Sequence, residues 1–329
     1  MREHDRLPTP AERETARALI NKMHKDPSGT IFDHGMLGHA DKSHINVSDE
    51  QLLDNILFEG VKNGDTVFAD KDAAKKCMTD VLKSKAYHLA KFLTIAKPGD
   101  TITYYTPLLD DQGDTKPVGH GFIGTRDKSG MGLDISKPIR PIETNMAAVI
   151  ITKDRHAEDE WRITTAFPVS RIEPKMSEDE KADCQIETVM DYDFEAVLHA
   201  TESYKRATPM QRAILDYNNV GKAHHGIAQL KYRPYSGGRE ESVTILDSKG
   251  LPATTITGDL NSAVSVTETT YGRRTELVRD ATERLCTALQ DQIEQVREIR
   301  QERNKNRKPP QGGPPDAKPH DDDQPSGPK

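Results

Sequence analysis

Apolar positions in the first hundred residues recur at helical spacing. Ala16, Leu19, Ile20 and Met23 step by three or four residues. Thr9-Pro10 ahead of them marks a helix start, with Thr9 as N-cap and Pro10 at the first helical position. Ser48 with Gln51 three residues on is a capping box for a helix from Asp49 to about Phe58, whose apolar face is Leu52, Leu53, Ile56 and Leu57. After the Asn63-Gly64-Asp65 turn, Thr66-Val67-Phe68 reads as a short strand. Ala73, Ala74, Cys77, Met78, Val81 and Leu82 form the inner face of a helix capped by Asp70 or Asp72, and a further helical piece spans about Ala86 to Ile95. Near residue 100 the period changes. Thr101–Tyr105 and Val118–Ile123 read as strands, and Met146–Lys153 and Glu160–Pro168 form a hairpin about Asp154–Asp159. Helices first and antiparallel strands after predict an α+β domain ending near Pro174.

Ser177–Asp183 reads as a charged linker. Beyond it, helices over Phe194–Tyr204 and Pro209–Tyr217 and strands over Gly226–Tyr232, Ser242–Leu246 and Ala253–Thr257 predict a smaller α+β unit, with Asp247–Gly250 as a hairpin turn. From about Thr270 the chain is helical. Leu277, Ala281, Leu285, Leu289, Ile293, Val296 and Ile299 make one stripe, which either docks on the second unit or joins two copies as a homodimer through residues 270–305. Arg297, Arg300, Arg303, Lys305, Arg307 and Lys308 make its end basic, and the Pro/Gly/Asp-rich stretch after it is expected to be disordered. The expected division is an N-terminal helix over 1–29, a main domain over 30–175, a small α+β domain over 184–268, an amphipathic helix over 269–307 and a tail over 308–329.

Composition narrows the function. Hydrophobic residues make up 34% of the 329, and the net charge is −7. No global polycation holds nucleic acid, so any RNA or DNA site must be a local patch. Cys77, Cys184 and Cys286 are odd in number and far apart, which argues for free thiols in a reducing compartment. No apolar run reaches the length of a membrane span, and no hydrophobic region follows Met1–Arg6, so neither membrane insertion nor a secretory signal is expected. A cytoplasmic protein is expected, any export relying on a specialised system.

The candidate chemistry sits before the Ser48 cap. His34, His39 and His44 recur every five residues. On a helix that spacing turns about 140°, and on a strand it alternates faces. No cysteine or carboxylate stands nearby at ligand spacing, so no metal or other cofactor is expected. Titratable groups on a loop braced by a helix suit acid–base work instead. The His224-His225 pair points in opposite directions on a strand and reads as structural or solvated.

Several pieces in order resemble the bacterial RNase A-like toxin domain found at the C-termini of contact-dependent inhibition and other polymorphic toxins. They are Gly38-His39 with His44 five residues on, Ser48 to Leu53, Thr66–Asp70 with Ala73-Ala74, Gly119-His120-Gly121, and Ile163-Thr164-Thr165-Ala166-Phe167-Pro168. The resemblance covers about residues 30–172. It implies metal-free RNA cleavage through a 2′,3′-cyclic phosphate, with RNA, tRNA among the candidates, as substrate and an immunity or inhibitor protein as partner. It assigns His44 and Thr165 as catalytic, with His39 and His120 beside them. Where the family usually has Arg and Tyr, this chain has Asn55 and Phe167, so phosphate charge falls to Lys42 or to a protonated His120 or His39. The alternative is a catalytically inactive RNase-like domain that serves as a binding or interaction protein.

Overall fold

The computed structural model describes residues 7–26, 43–59, 64–110, 112–127, 132–157, 161–220, 228–236, 240–261 and 263–305. His34, His39, Lys42, the His224-His225 pair and the 308–329 tail lie outside the described residues.

Helix α1 (Pro10–Lys25) starts at the expected box: Thr9 Oγ1 accepts from Glu12 N and Glu12 Oε2 from Thr9 N. Helix α2 (Asp49–Glu59) follows Ser48, whose hydroxyl accepts from Gln51 N. Of the two aspartates expected to cap α3 (Lys71–Ser84), Asp70 does so, accepting from Ala73 N at 2.6 Å. Helix α4 (Ala86–Ile95) completes the layer.

Strands β2 (Thr101–Leu109), β3 (Thr115–Lys116), β6 (Met146–Lys153) and β7 (Trp161–Pro168) form an antiparallel sheet in the order β3-β2-β6-β7. Ala147, Val149 and Ile151 of β6 face the helix core with Met23, Met78, Leu82 and Trp161, while Met146 and Ala148 face the other way with Tyr105, Val169 and Met176. A strand covered on both faces reads as an unbroken apolar run, which is how β6 appears in the sequence. A second sheet holds β1 (Gly64–Phe68), β4 (Gly119–Ile123), β5 (Arg140–Thr144) and β8 (Ile186–Thr188), in that order. Leu52, Leu53 and Ile56 of α2 are fully buried over it, against Val67 and Phe122. The two sheets meet where Thr66 Oγ1 donates to Pro168 O at 2.5 Å.

The stretch read as a linker contains a short helix, α5 (Glu178–Asp183), with Ser177 and Glu180 as its own capping box. It leads into β8, which extends the second sheet beside β5. The helix expected over Phe194–Tyr204 is two helices, α6 (Phe194–Ala200) and α7 (Glu202–Arg206). Thr201 separates them because its extended backbone and its hydroxyl, which accepts from Tyr204 N, cap the second. Asp54 of α2 accepts from Glu202 N and Ser203 N, and Phe194 and Leu198 join the core under α2. Packing is thus continuous across the expected boundary between residues 175 and 184.

Helix α8 (Pro209–Asn219) and the long α9 (Glu276–Lys305) cover a third sheet of β9 (Leu230–Arg233), β10 (Ser242–Leu246), β11 (Pro252–Thr257) and β12 (Ser265–Glu268). All four residues of strand β12 are exposed, which explains why no apolar pattern announced it. Val278, Ala281, Leu285, Leu289 and Ile293 of α9 are buried in this core, so the main part of the stripe considered for a homodimer is covered within the chain. All three cysteines are free thiols, and among the described residues no helix is long and apolar enough to cross a membrane.

Leu289 is fully buried at the centre of that core. Leu289→Ala should lower unfolding stability by about 2–5 kcal/mol, read from the denaturation midpoint at unchanged slope. A loss under about 1 kcal/mol would show that α9 does not seal the third sheet.

Candidate active site

Strand β1 ends its sheet, so its edge away from β4 needs partners. His44 provides them. Phe68 N donates to His44 O at 2.9 Å, and His44 Nδ1 donates to Thr66 O at 2.9 Å. A carbonyl oxygen only accepts, so the proton is assigned to Nδ1, and Nε2 is the nitrogen through which the ring takes up a second one. The sequence places His44 on a loop; in the fold it is only 8% exposed. Its ring centroid lies 5.5 Å from that of Phe167, tilted by 42°.

Thr165 reaches the same side through the pleat of β7. Ile163 and Ala166 face the helix core, while Thr165 pairs with Ile150 and Phe167 with Ala148 on the opposite face. A bulge between Ile150 and Ile151 inserts Thr164, whose Oγ1 is hydrogen-bonded to Thr152 Oγ1. Thr165 Oγ1 is screened from solvent and has no hydrogen-bond partner among the described residues. An unpaired buried hydroxyl costs about 1–3 kcal/mol, so the Thr165 hydroxyl adds no hydrogen-bond stabilisation to the fold.

His120 lies one strand over. It stands opposite Val67, on the face that carries Phe122 and is covered by α2. Its Nε2 donates to Asp49 Oδ1 at 2.8 Å, and Asp49 Oδ2 accepts from Tyr192 Oη. The Asp49 hydrogen bond raises the His120 pKa, and the His120 hydrogen bond holds the Asp49 carboxyl below its ordinary range. Burial, and then the bond to Asp49, push the Tyr192 phenol upward. Asn55 also turns to the α2 side of β1, where its Nδ2 donates to the buried Asp65 Oδ2 at 2.7 Å.

The structure therefore sets His44 against Phe167, on the face of β7 that also carries Thr165. It sets His120 with Asp49, and Asn55 with Asp65, while His39 and Lys42 lie outside the described residues. Among the described residues no group of three or more His, Cys, Asp or Glu side chains is placed to hold a metal ion. Asp49, Thr66 and Tyr192 escaped the sequence reading. Asp49 reads there as an ordinary acidic first turn, and Tyr192 lies 143 residues away with no local signal.

The sign of the pH dependence follows. His120, raised above its ordinary 6.5, stabilises the fold below that value and loses its contribution as pH rises through the raised one. Asp49, lowered below 3.8, contributes above 3.8 and loses its contribution as pH falls through the lowered one. Thermal stability of the wild type should thus decline above pH 6.5 more steeply than that of His120→Gln. Parallel melting profiles for the two proteins would remove the ion pair.

The family of bacterial CdiA-CT RNase A domains matches residues 38–168. A solved structure similar to this chain is the CdiA-CT/CdiI complex from Y. kristensenii 33638, at 17% identity and a TM-score of 0.30, with 40% of this chain and 99% of that chain covered. No curated protein matches the chain. Residues 38–168, which hold His44, Asn55, His120, Thr165 and Phe167, are a bacterial RNase A-like toxin domain of the CdiA-CT kind.

Proposed function

We propose that the chain is a metal-independent endoribonuclease of the toxin kind, cutting RNA through a 2′,3′-cyclic phosphate. The observation that carries this reading is the meeting of His44, fixed through Nδ1, with Phe167 on the β7 face that also presents the unpartnered Thr165 hydroxyl. In the proposed reaction His44 Nε2 takes the ribose 2′-hydroxyl proton, the 2′-oxygen attacks its own phosphorus, and the 5′-oxygen leaves with a proton from an acid, the role assigned to His39. Thr165 donates to a non-bridging oxygen as charge builds there, which requires the groups covering its hydroxyl to part for substrate. Lys42 adds positive charge. His120 is a cation held by Asp49 on the α2-covered face of β4, and Asn55 keeps Asp65 satisfied rather than touching phosphate. An inhibitor protein that covers this face belongs to the same proposal.

The engagement of Asn55 by Asp65 and the missing phenol at Phe167 favour a second reading, an RNase-like domain that binds a partner without cutting.

Purified protein should cleave single-stranded RNA in excess EDTA and leave cyclic-phosphate ends. His44→Asn keeps a donor for Thr66 O and removes the proton-exchanging nitrogen, so the rate should fall about 10²–10⁴-fold with the fold retained. A wild type that is silent on RNA, and that Phe167→Tyr does not awaken, would put the binding reading first.

Thr165→Val removes the unpartnered hydroxyl at nearly constant volume. Cleavage should drop by about 10²-fold while the melting temperature holds or rises. A lowered melting temperature at full activity would make Thr165 a structural residue.

A further inference from the structure

The β7 face that carries Thr165 and Phe167 continues to Arg162. The register pairs Arg162 with Thr152, Thr165 with Ile150 and Phe167 with Ala148, and the bulge turns Thr164 toward Thr152 on the same side. Trp161, Ile163 and Ala166 on the other side are buried. A strip thus runs from the ring against His44, over two adjacent hydroxyl side chains, to a guanidinium. Arg162 and Thr165 are separated by roughly 10 Å along the strand.

The Arg162 side chain is 60% exposed, with Nε 3.2 Å from Asp154 Oδ2. Asp154 Oδ1 accepts from His156 N at 2.9 Å, so the turn fixes the carboxylate that holds the guanidinium at the end of the strip. Arg162 and Thr152 line an open cleft of about 520 Å³ there, together with Arg155 and His156.

We propose that Arg162 forms a flanking-phosphate subsite: its guanidinium binds the RNA phosphate next to the one at Thr165, with Thr164 lining the path between them. This rests on the ribonuclease reading. The planar fork suits phosphate, and it provides at the solvent-exposed end of the strip a guanidinium that position 55 lacks. Asp154 competes for the fork, and Glu158, Asp159 and Glu160 follow it in sequence. Binding is therefore held below what an unopposed arginine would give.

The test uses the full chain and a labelled single-stranded RNA with 2′-O-methyl groups, which binds without being cut. Arg162→Ala should weaken binding about tenfold at low salt and reduce the slope of log K against log salt by about one. Arg162→Lys should restore the slope but not the whole affinity, and Asp154→Asn should tighten binding. Lys205→Ala, which removes an exposed cation paired with Glu202 on α7, should leave the slope as it is. An unchanged slope in Arg162→Ala, in a wild type that binds and cuts RNA, overturns the subsite alone. A wild type that neither binds nor cuts RNA overturns the ribonuclease reading and the subsite with it.

Discussion

The free edge of β1 is the constraint on which the N-terminal half depends. A terminal strand presents unpaired amides and carbonyls, and leaving them dry and unmet is costly. Here the edge is met by one residue through its backbone and its ring: the His44 carbonyl accepts from Phe68 N, and His44 Nδ1 donates a hydrogen bond to Thr66 O. Thr66 then reaches across to Pro168 and ties the first sheet to the second. The same bonds that close the edge orient the imidazole against Phe167. Structure and candidate chemistry therefore share their hydrogen bonds, and the site cannot loosen without opening the junction between the sheets.

Helix α2 is the second organiser. Its apolar side covers β1 and β4, and its polar side makes three distant attachments. Asp49 receives His120 and Tyr192, Asp54 caps α7, and Asn55 satisfies Asp65. Two of these attachments reach residues beyond 168, where the match to the toxin family ends. The chain that follows the RNase-like stretch is built into the packing around the site, through β8 in the sheet and Phe194 and Leu198 under α2. Glycine enables the tight approach of β1 to β4, because a Cβ at Gly119 or Gly121 would collide with the β1 backbone at Val67 O and Asp65 O.

Local signals decided much of what the sequence alone determined. The Thr9 and Ser48 starts, the β6–β7 hairpin, the apolar α3 face and the α9 stripe each depend on neighbours within a few residues, where capping and periodicity act. The order of the His44, Thr66–Phe68 and Thr164–Phe167 pieces was likewise legible, and with it the kinship of residues 38–168. Signals failed where the outcome turned on contacts far along the chain. The stretch 177–183 reads as a charged linker, and the strand that follows it, Ile186–Thr188, is short and mostly exposed, so only pairing with β5 makes it part of a sheet. Histidine spacing could not say that His44 is buried at a strand edge while His120 turns to α2, since each face is set by a partner 22 to 71 residues away. Asn55 looks like a weakened phosphate ligand in sequence, and it is the buried Asp65 across the α2–β1 contact that claims its amide. Propensity and pattern are short-range and survive in the sequence. The direction in which a polar side chain points is decided by which donors and acceptors the fold leaves to be satisfied, and that is known only once the sheets have met.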